Sequence, residues 1–267
     1  MSHLENVKRM NIKLLTIIFT VILASAISLG DESKEMRLVS YNIRHCSGAD
    51  KELNIQRIAD IIAKERPDIV GLNEVDKFSK RSKGVDQAKE LGKKIGLYAT
   101  FAEAIPIAGG SYGNAILSRE KPLSVMRIPL PGKESRVLLF CEFSDCWFGS
   151  THLSLQETNR IASARIINKL VREKSKTKKV FLSGDFNDSP SSKTLSAICE
   201  EMKILSDQSK ATYNAFKDTI FDNSKCIDYI AIDREAAKKF RVKSTRVRRD
   251  AISSDHNLIS VTLVKKQ

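Results

Sequence analysis

Ser183-Gly184-Asp185-Phe186-Asn187 follows the run Lys178-Lys179-Val180-Phe181-Leu182. The apolar part of that run reads as a short buried strand. Asp185 and Asn187, two apart just past its end, emerge on one face at a sheet edge. A carboxylate accepts hydrogen bonds, and an amide both donates and accepts. Together they suit holding a water beside a phosphate oxygen. Taken alone, Gly-Asp-x-Asn is more often a plain strand-to-turn sequence, so its meaning depends on what surrounds it.

A chain of 267 residues with 42% hydrophobic and 29% charged residues has the composition of a globular protein with an ample core. It has no internal repeat and no long Pro/Gly/Ser linker, so one domain is expected over residues 34–267. Lys8, Arg9 and Lys13 precede an apolar stretch, Leu14 to Leu23, and then Ala24-Ser25-Ala26. This is a signal-peptide pattern over residues 1–30 with cleavage near Ala26, and it predicts a secreted or periplasmic protein; an uncleaved anchor is the alternative. Formal charge is +13, and the first 26 residues carry a net +2, leaving +11 on the mature chain. That favours polyanions such as nucleic acid, anionic lipid or phosphorylated metabolites, with solubility alone as the plain alternative. The densest basic run, Arg241, Lys243, Arg246, Arg248 and Arg249, either flanks a cleft or blunts a strand edge. Five cysteines give no complete disulfide framework. Cys141 and Cys146, flanking a Ser144-Asp145 hairpin turn, stand in poor disulfide geometry. All five read as structural.

The pattern predicts strands at Met36–Asn42, Ile69–Val75, Gly113–Ser118, Arg136–Phe143, Cys146–His152, Val180–Gly184, Ile227–Ile232 and Leu258–Val264. Helices are predicted at Asn54–Arg66, Val85–Ile95, Glu157–Lys174 and Ser192–Met202, from 3–4 spacing of apolar residues and from their capping residues. Strands alternate with helices early and hairpins enter later, which suggests a mixed α/β sandwich rather than a doubly wound parallel sheet. Ala104-Ile105-Pro106-Ile107-Ala108-Gly109-Gly110 is the one candidate for an exposed apolar loop that would touch lipid.

Six polar sites fall at or just beyond strand ends: Asn42, Glu74, His152, the Asp185/Asn187 pair, Asp228 and the Asp255/His256 pair. Each has an ordinary reading as a turn, a cap or a core histidine. Their joint occurrence in order favours a single site. Carboxylates and an amide converging in one cleft repel one another without a cation. An all-oxygen ligand set selects Mg²⁺ first, then Mn²⁺ or Ca²⁺, over zinc.

With these motifs the chain resembles the endonuclease/exonuclease/phosphatase superfamily, from Val39-Ser40-Tyr41-Asn42 to Ser254-Asp255-His256. Leu72-Asn73-Glu74-Val75-Asp76 is similar to its metal-carboxylate motif, and Ser183–Asn187 and Cys226-Ile227-Asp228-Tyr229-Ile230 to its central motifs. The resemblance implies a four-layer α/β/β/α sandwich of two packed mixed sheets with the site at one edge. It implies that Glu74 binds the metal, assisted by Asn42 and Asp255. Asp185 and Asn187 would position and activate water, and Asp228 would orient His256 toward the phosphate. His152 would stabilise the phosphate or help protonate the leaving oxygen, with Asn114 as its buttress. Two departures limit the substrate reading: Asn73 stands where Gln is common, and Asn257-Leu258 where many members have a Pro two after the His. Arg81-Ser82-Lys83-Gly84-Val85-Asp86-Gln87 looks like the exported bacterial metal-dependent hydrolase branch, which makes Arg81 a candidate ligand for substrate phosphate.

The expected function is hydrolysis of a phosphodiester or phosphomonoester, with nucleic acid, a phospholipid headgroup or a sugar or inositol phosphate as substrate classes. One Trp and 6% aromatics offer no evident base-stacking platform. No obligate protein partner is evident, and a monomer is expected. The alternative is a non-catalytic polyanion-binding module on the same fold.

Overall fold

The computed structural model describes residues 35–217 and 225–266, so the expected signal segment lies outside the described residues. β1 (Met36–Asn42), β2 (Ile69–Lys77), β3 (Tyr98–Ile107), β4 (Gly110–Ser118), β11 (Phe240–Arg248) and β12 (Leu258–Lys265) form one sheet. Its order is β11-β12-β1-β2-β4-β3. β5 (Ser124–Leu130), β6 (Arg136–Glu142), β7 (Cys146–His152), β8 (Lys179–Asp185), β9 (Met202–Ile204) and β10 (Asp228–Asp233) form the second. Its order is β5-β6-β7-β8-β10-β9. Each sheet has one parallel pair at its centre, β1 with β2 and β7 with β8; every other pairing is antiparallel.

Alternation along the strands builds three apolar layers. Leu38 packs between the sheets with Phe148, Phe181, Ile230 and Ile259. Val39 and Tyr41 face outward under α1 (Ile55–Ala63) and α2 (Gln87–Ile95), where Ile58, Ile62 and Leu91 are fully buried. On the other side Leu138, Val180, Leu182 and Ala231 pack under α3 (Glu157–Lys174) and α4 (Lys193–Ile198). The result is the expected four-layer sandwich. A short α5 (Arg234–Lys239) follows β10.

The period of two also places the polar residues. On the inner faces, apolar side chains give way to serines and then to larger polar groups: Leu38, Ser40, Asn42 on β1; Phe148, Ser150, His152 on β7; Phe181, Ser183, Asp185 on β8. β10 and β12 run antiparallel to these, so their N-terminal ends bring Asp228 and His256 to the same edge.

Local signals set most boundaries. Asn54 and Asp86 accept from the backbone N–H of Arg57 and Lys89 as N-caps, and Gly96 closes α2 at φ 73°. α1 ends at Ala63, before Arg66. The helix expected over Ser192–Met202 stops at Ile198, because the Arg234 guanidinium donates to the Cys199 carbonyl (Nε 2.9 Å) and Met202–Ile204 pairs with β10 instead. In α3 the buried stripe includes Arg160 and Asn168. Arg160 donates to the carbonyls of Ser154 and Leu155 and to Asp188, tying together the loops after β7 and β8.

The expected apolar loop at Ala104–Gly110 is not one. β3 continues to Ile107, and Ala108-Gly109, at φ 47° and 79°, turn directly into β4 with Ile105 and Ile107 half-buried. The basic run from Arg241 lies on β11, an edge strand with a bulge between Val242 and Ser244, which is the charged-edge reading. All five cysteines are free, and burial pushes the Cys141 and Cys226 thiols up to about 12. No helix among the described residues is long and apolar enough to cross a membrane.

Gly184 has φ 144°, and a Cβ there would lie 1.8 Å from the Thr151 carbonyl oxygen across the β7–β8 pair. Gly184→Ala is expected to cost about 2–4 kcal/mol, since both the backbone and a neighbouring main chain must shift. Gly84, at φ 68° with open space around its Cβ position, is the control. Gly84→Ala should cost only about 1 kcal/mol, the left-handed penalty alone. Urea denaturation of both variants checks the difference, and equal losses would contradict it.

Candidate active site

Three strand registers assemble the site. Asn42 lies opposite Asn73, His152 opposite Asp185, and Asp228 opposite Asp185 on the other side. Asp185 is therefore flanked within its own sheet and meets the first sheet across the seam. Its Oδ2 accepts from Asn42 Nδ2 at 3.2 Å and lies 3.5 Å from His152 Nε2 and 3.6 Å from His256 Nε2. Its Oδ1 accepts from the Asn187 backbone N–H at 2.9 Å. Asn187, at φ 52°, donates its amide to the Leu153 carbonyl. This leaves the Asn187 carbonyl oxygen beside a carboxylate that is 2% exposed.

His256 Nδ1 lies 2.9 Å from Asp228 Oδ2, the expected carboxylate–imidazole pair. Burial, the largest single influence, opposes charge on His256, but Asp228, Asp185 and Asp255 together outweigh it and push its pKa up to about 10. His152 is pushed the other way, down to about 4, by burial. Asp185 opposes that shift, and Arg136 and His256 add to it. Two imidazoles thus converge on one carboxylate with opposite charge preferences.

Glu74 sits where β2 breaks register against β4 between Leu72 and Val75, and its own φ is 58°. The bulge turns its carboxylate into the seam, where Oε1 accepts from Asn42 Nδ2 at 3.0 Å. Burial raises its pKa, the Asn42 hydrogen bond opposes this, and Asp255 and Asp185 add to it. Asp255 lies 3.7 Å from Arg44 Nε. Four carboxylates, at Glu74, Asp185, Asp228 and Asp255, thus face one charged imidazole. Asp228 Oδ1 is buried with no partner. This excess of hard anionic oxygen fits a divalent cation, whose ligands the resemblance gives as Glu74 and Asp255. Asp185, Asp228 and His256 also present ligand atoms within 4.8 Å of one another. Because two of those three are already bonded to each other, the trio is better described as a hydrogen-bonded chain. Asn42 lies at the centre of this group: its Oδ1 accepts from the Arg44 N–H, and its Nδ2 donates to Glu74 and Asp185.

Two expected residues are engaged with neighbours of their own. Asn114 is 2% exposed; it donates to the Val137 carbonyl and accepts from Asn73, and no hydrogen bond joins it to His152 among the described residues. Arg81 is engaged fork-to-fork with buried Asp76, through Nε and Nη2 at 2.8 Å each, beneath Tyr112. No hydrogen bond or ion pair joins Arg81 to the central cluster among the described residues.

Other residues, for which the sequence implies no role in the site, hold it together. Asn73 receives the Asp185 N–H on its Oδ1 at 3.0 Å and donates to Thr151 O and Asn114 Oδ1, each at 2.9 Å. Thr212 Oγ1 accepts from the N–H groups of both Ile227 and Asp228. Asn214 ties the same segment to Asp250 and Asn257, while its backbone N–H binds the Asp255 carbonyl. The one visible hint was Asn73 itself, adjacent to Glu74 in the strand-end motif.

A model of the endonuclease/exonuclease/phosphatase family matches residues 39–256. The chain belongs to that family. Solved structures with the same fold include a family protein from Beutenbergia cavernae, at 22% identity and TM-score 0.72, covering 87% of this chain and 72% of that one. The mannosyl-6-phosphatase of Bacteroides thetaiotaomicron is similar at 20% identity and TM-score 0.69, over 86% of this chain and 99% of that one. TDP2 of Caenorhabditis elegans matches at 19% identity and TM-score 0.65, over 86% and 74%. A search of curated proteins returned no significant match. The family fold thus carries both phosphatase-named and other members at similar distance.

Asn73→Ala removes partners from three buried groups at once. At about 1–3 kcal/mol for a group left unsatisfied, a loss of about 3 kcal/mol is expected. Thermal and urea denaturation measure it; a loss under about 1 kcal/mol would mean that Asn73 does not hold the two sheets together.

Proposed function

We propose that this protein is an exported, divalent-metal-dependent phosphoesterase that hydrolyses a phosphate ester by in-line attack of water. The observation that carries the reading is the convergence of His152 Nε2, His256 Nε2 and Asn42 Nδ2 on one oxygen of Asp185. Donors gathered on a carboxylate in the resting site are placed for a phosphoryl group that enters among them. Asp185 and Asn187 orient the attacking water, and the Asp185 carboxylate takes its proton. Asp228 fixes the His256 ring, whose Nε2 is left to face the phosphate. His152 donates to the phosphate or to the leaving oxygen. Glu74 and Asp255 would hold the cation, Mg²⁺ by the hardness of the donors, and bound there it neutralises charge developing on the phosphate oxygens.

Export rests on the Lys8–Ala26 pattern. The substrate is a phosphate ester, with nucleic acid, a lipid headgroup and a sugar or inositol phosphate as its classes. The half-buried hairpin at Ala104–Gly110 removes the one apolar feature that points to a lipid surface.

Turnover of plasmid DNA, bis-p-nitrophenyl phosphate, a phosphomonoester and sphingomyelin, with Mg²⁺, Mn²⁺ or EDTA, tests this. EDTA should abolish activity and Mg²⁺ restore it. Asp185→Ala should lower the rate by on the order of 10²–10⁴. No turnover on any substrate, with metal-independent DNA binding that survives Asp185→Ala, would replace the hydrolase with a binding module.

A further inference from the structure

The chain leaves β1 through an uncommon turn. Arg44, His45 and Cys46 stand at φ 44°, 43° and 59°, three consecutive left-handed residues of which none is glycine. Such backbone costs free energy and persists only where its surroundings over-determine it. Here they do. Asn42 Oδ1 accepts from the Arg44 N–H at 3.1 Å, and Gln87 Nε2 donates to the His45 carbonyl at 2.7 Å. Cys46 is fully buried; its N–H donates to the Ile43 carbonyl, and its own carbonyl accepts from the Asn54 N–H.

The turn holds Arg44 at the rim of the site. Its N–H is bound by the same Asn42 whose Nδ2 lies against Glu74, Asp185 and His256. Its Nε is 3.7 Å from Asp255 Oδ2, beyond hydrogen-bond length, and its guanidinium lies 4.8 Å over the Phe216 ring. The segment that grips Asp255 also fixes that ring. The Ala215 N–H donates to the Asp255 carbonyl, and the Phe216 N–H donates to Asn214 Oδ1. A guanidinium stacked on a ring keeps its edge donors for an acceptor in its own plane. Among the described residues the Arg44 guanidinium makes one hydrogen bond, from Nη1 to the Ser47 carbonyl at 3.0 Å. Neighbouring basic groups are engaged or neutral. Arg81 is held fork-to-fork by Asp76, and Arg136 pairs with Glu134 at 2.9 Å. Burial, and then the charge of Arg81, pushes His45 down to about 4, so its ring is neutral at neutral pH.

We propose that Arg44 is a phosphate-binding residue of this site, a fixed cation whose free donors contact an oxygen of the substrate phosphate. This rests on the phosphoesterase reading. Four carboxylates against His256 and Arg44 leave a negative excess of the size that one divalent cation balances. The guanidinium stands beside Asp255, one of the groups that would hold that cation, so the two positive groups repel. An anion, by contrast, is attracted to both. Removing the Arg44 charge therefore has effects of opposite sign: the cation gains affinity and the phosphate loses it.

The test uses the full chain and the variants Arg44→Gln, Arg44→Met and Arg44→Lys at fixed ionic strength. Mn²⁺ affinity is read by electron paramagnetic resonance without phosphate. Affinity for inorganic phosphate is read by calorimetry in saturating Mg²⁺. The two neutral variants should bind Mn²⁺ about threefold to tenfold more tightly. They should bind phosphate about tenfold or more weakly. Arg44→Lys, which keeps the charge, should return both affinities toward the parent. Arg44→Gln retains a donor for the Ser47 carbonyl, so it carries the test if Arg44→Met does not fold. A purely structural part for Arg44 gives no such opposition of sign. Loss of both affinities, no change in either, or tighter Mn²⁺ with phosphate unchanged would each overturn the proposal, as would a parent that binds no phosphate. If the parent binds no Mn²⁺, the metal-dependent reading falls, while the phosphate titration decides Arg44 on its own.

Discussion

The two sheets approach each other so closely at one point that only glycine fits. A Cβ on Gly71 would lie 2.0 Å from Ser183 Oγ and 3.2 Å from Ser150 Oγ. Above this contact the inner faces carry serines, and above those the functional groups. A short amide is then long enough to cross. Asn73, two residues beyond Gly71 and on the same face, reaches the Asp185 N–H and the Thr151 carbonyl of the opposite sheet. A side chain one methylene longer would need the sheets to stand farther apart. The departure from Gln at this position therefore goes with the narrow seam. The separation of Asn42 and Glu74 from His152 and Asp185 is set where the Gly71 main chain meets the short, buried side chains of Ser183 and Ser150.

That rigidity makes the electrostatics possible. Four carboxylates in one partly dry cleft would ordinarily take up protons, and Glu74 is raised in that direction. Asp228 and Asp185 instead hold a charge on His256. A buried ion pair gains little stability over an apolar pair, because desolvation offsets the attraction. Its use here is orientation. Asp228 is fixed by Thr212 at its backbone, Thr212 and Asn214 also grip the Asp255–Asn257 turn, and so His256 has one position. His152 lacks a partner on Nδ1, so its ring is held by Asp185 and by packing alone.

Much of this was legible because strand parity is short-ranged. Asn42, His152 and Asp185 are strand-final residues of apolar alternations, and the strands Met36–Asn42 and Cys146–His152 stand where the pattern put them. What escaped has a common cause. β3, β5 and β11 are edge strands, half-exposed and without clean alternation. The bulge at Glu74 and the early end of α4 depend on partners distant in sequence, β4 and Arg234. Asn73, Thr212, Asn214 and Arg160 act through backbone groups of other segments, and such acceptors leave no mark in the local sequence. The resemblance makes Arg81 a ligand for substrate phosphate and Asn114 a buttress of His152, whereas the hydrogen bonds engage them with Asp76 and Asn73.

The excess positive charge also becomes more specific once it is placed. On β11, Arg246 and Arg248 turn to Glu65, so part of that basic run is neutralised at the sheet edge. Lys178 and Lys179 pair with Glu142 and Asp145. Such surface pairs contribute little stability, but they remove charge from the long-range field. The field is then shaped by the lysines that have no ion pair among the described residues, Lys89 and Lys93 of α2 among them. Net charge alone is compatible with any polyanion.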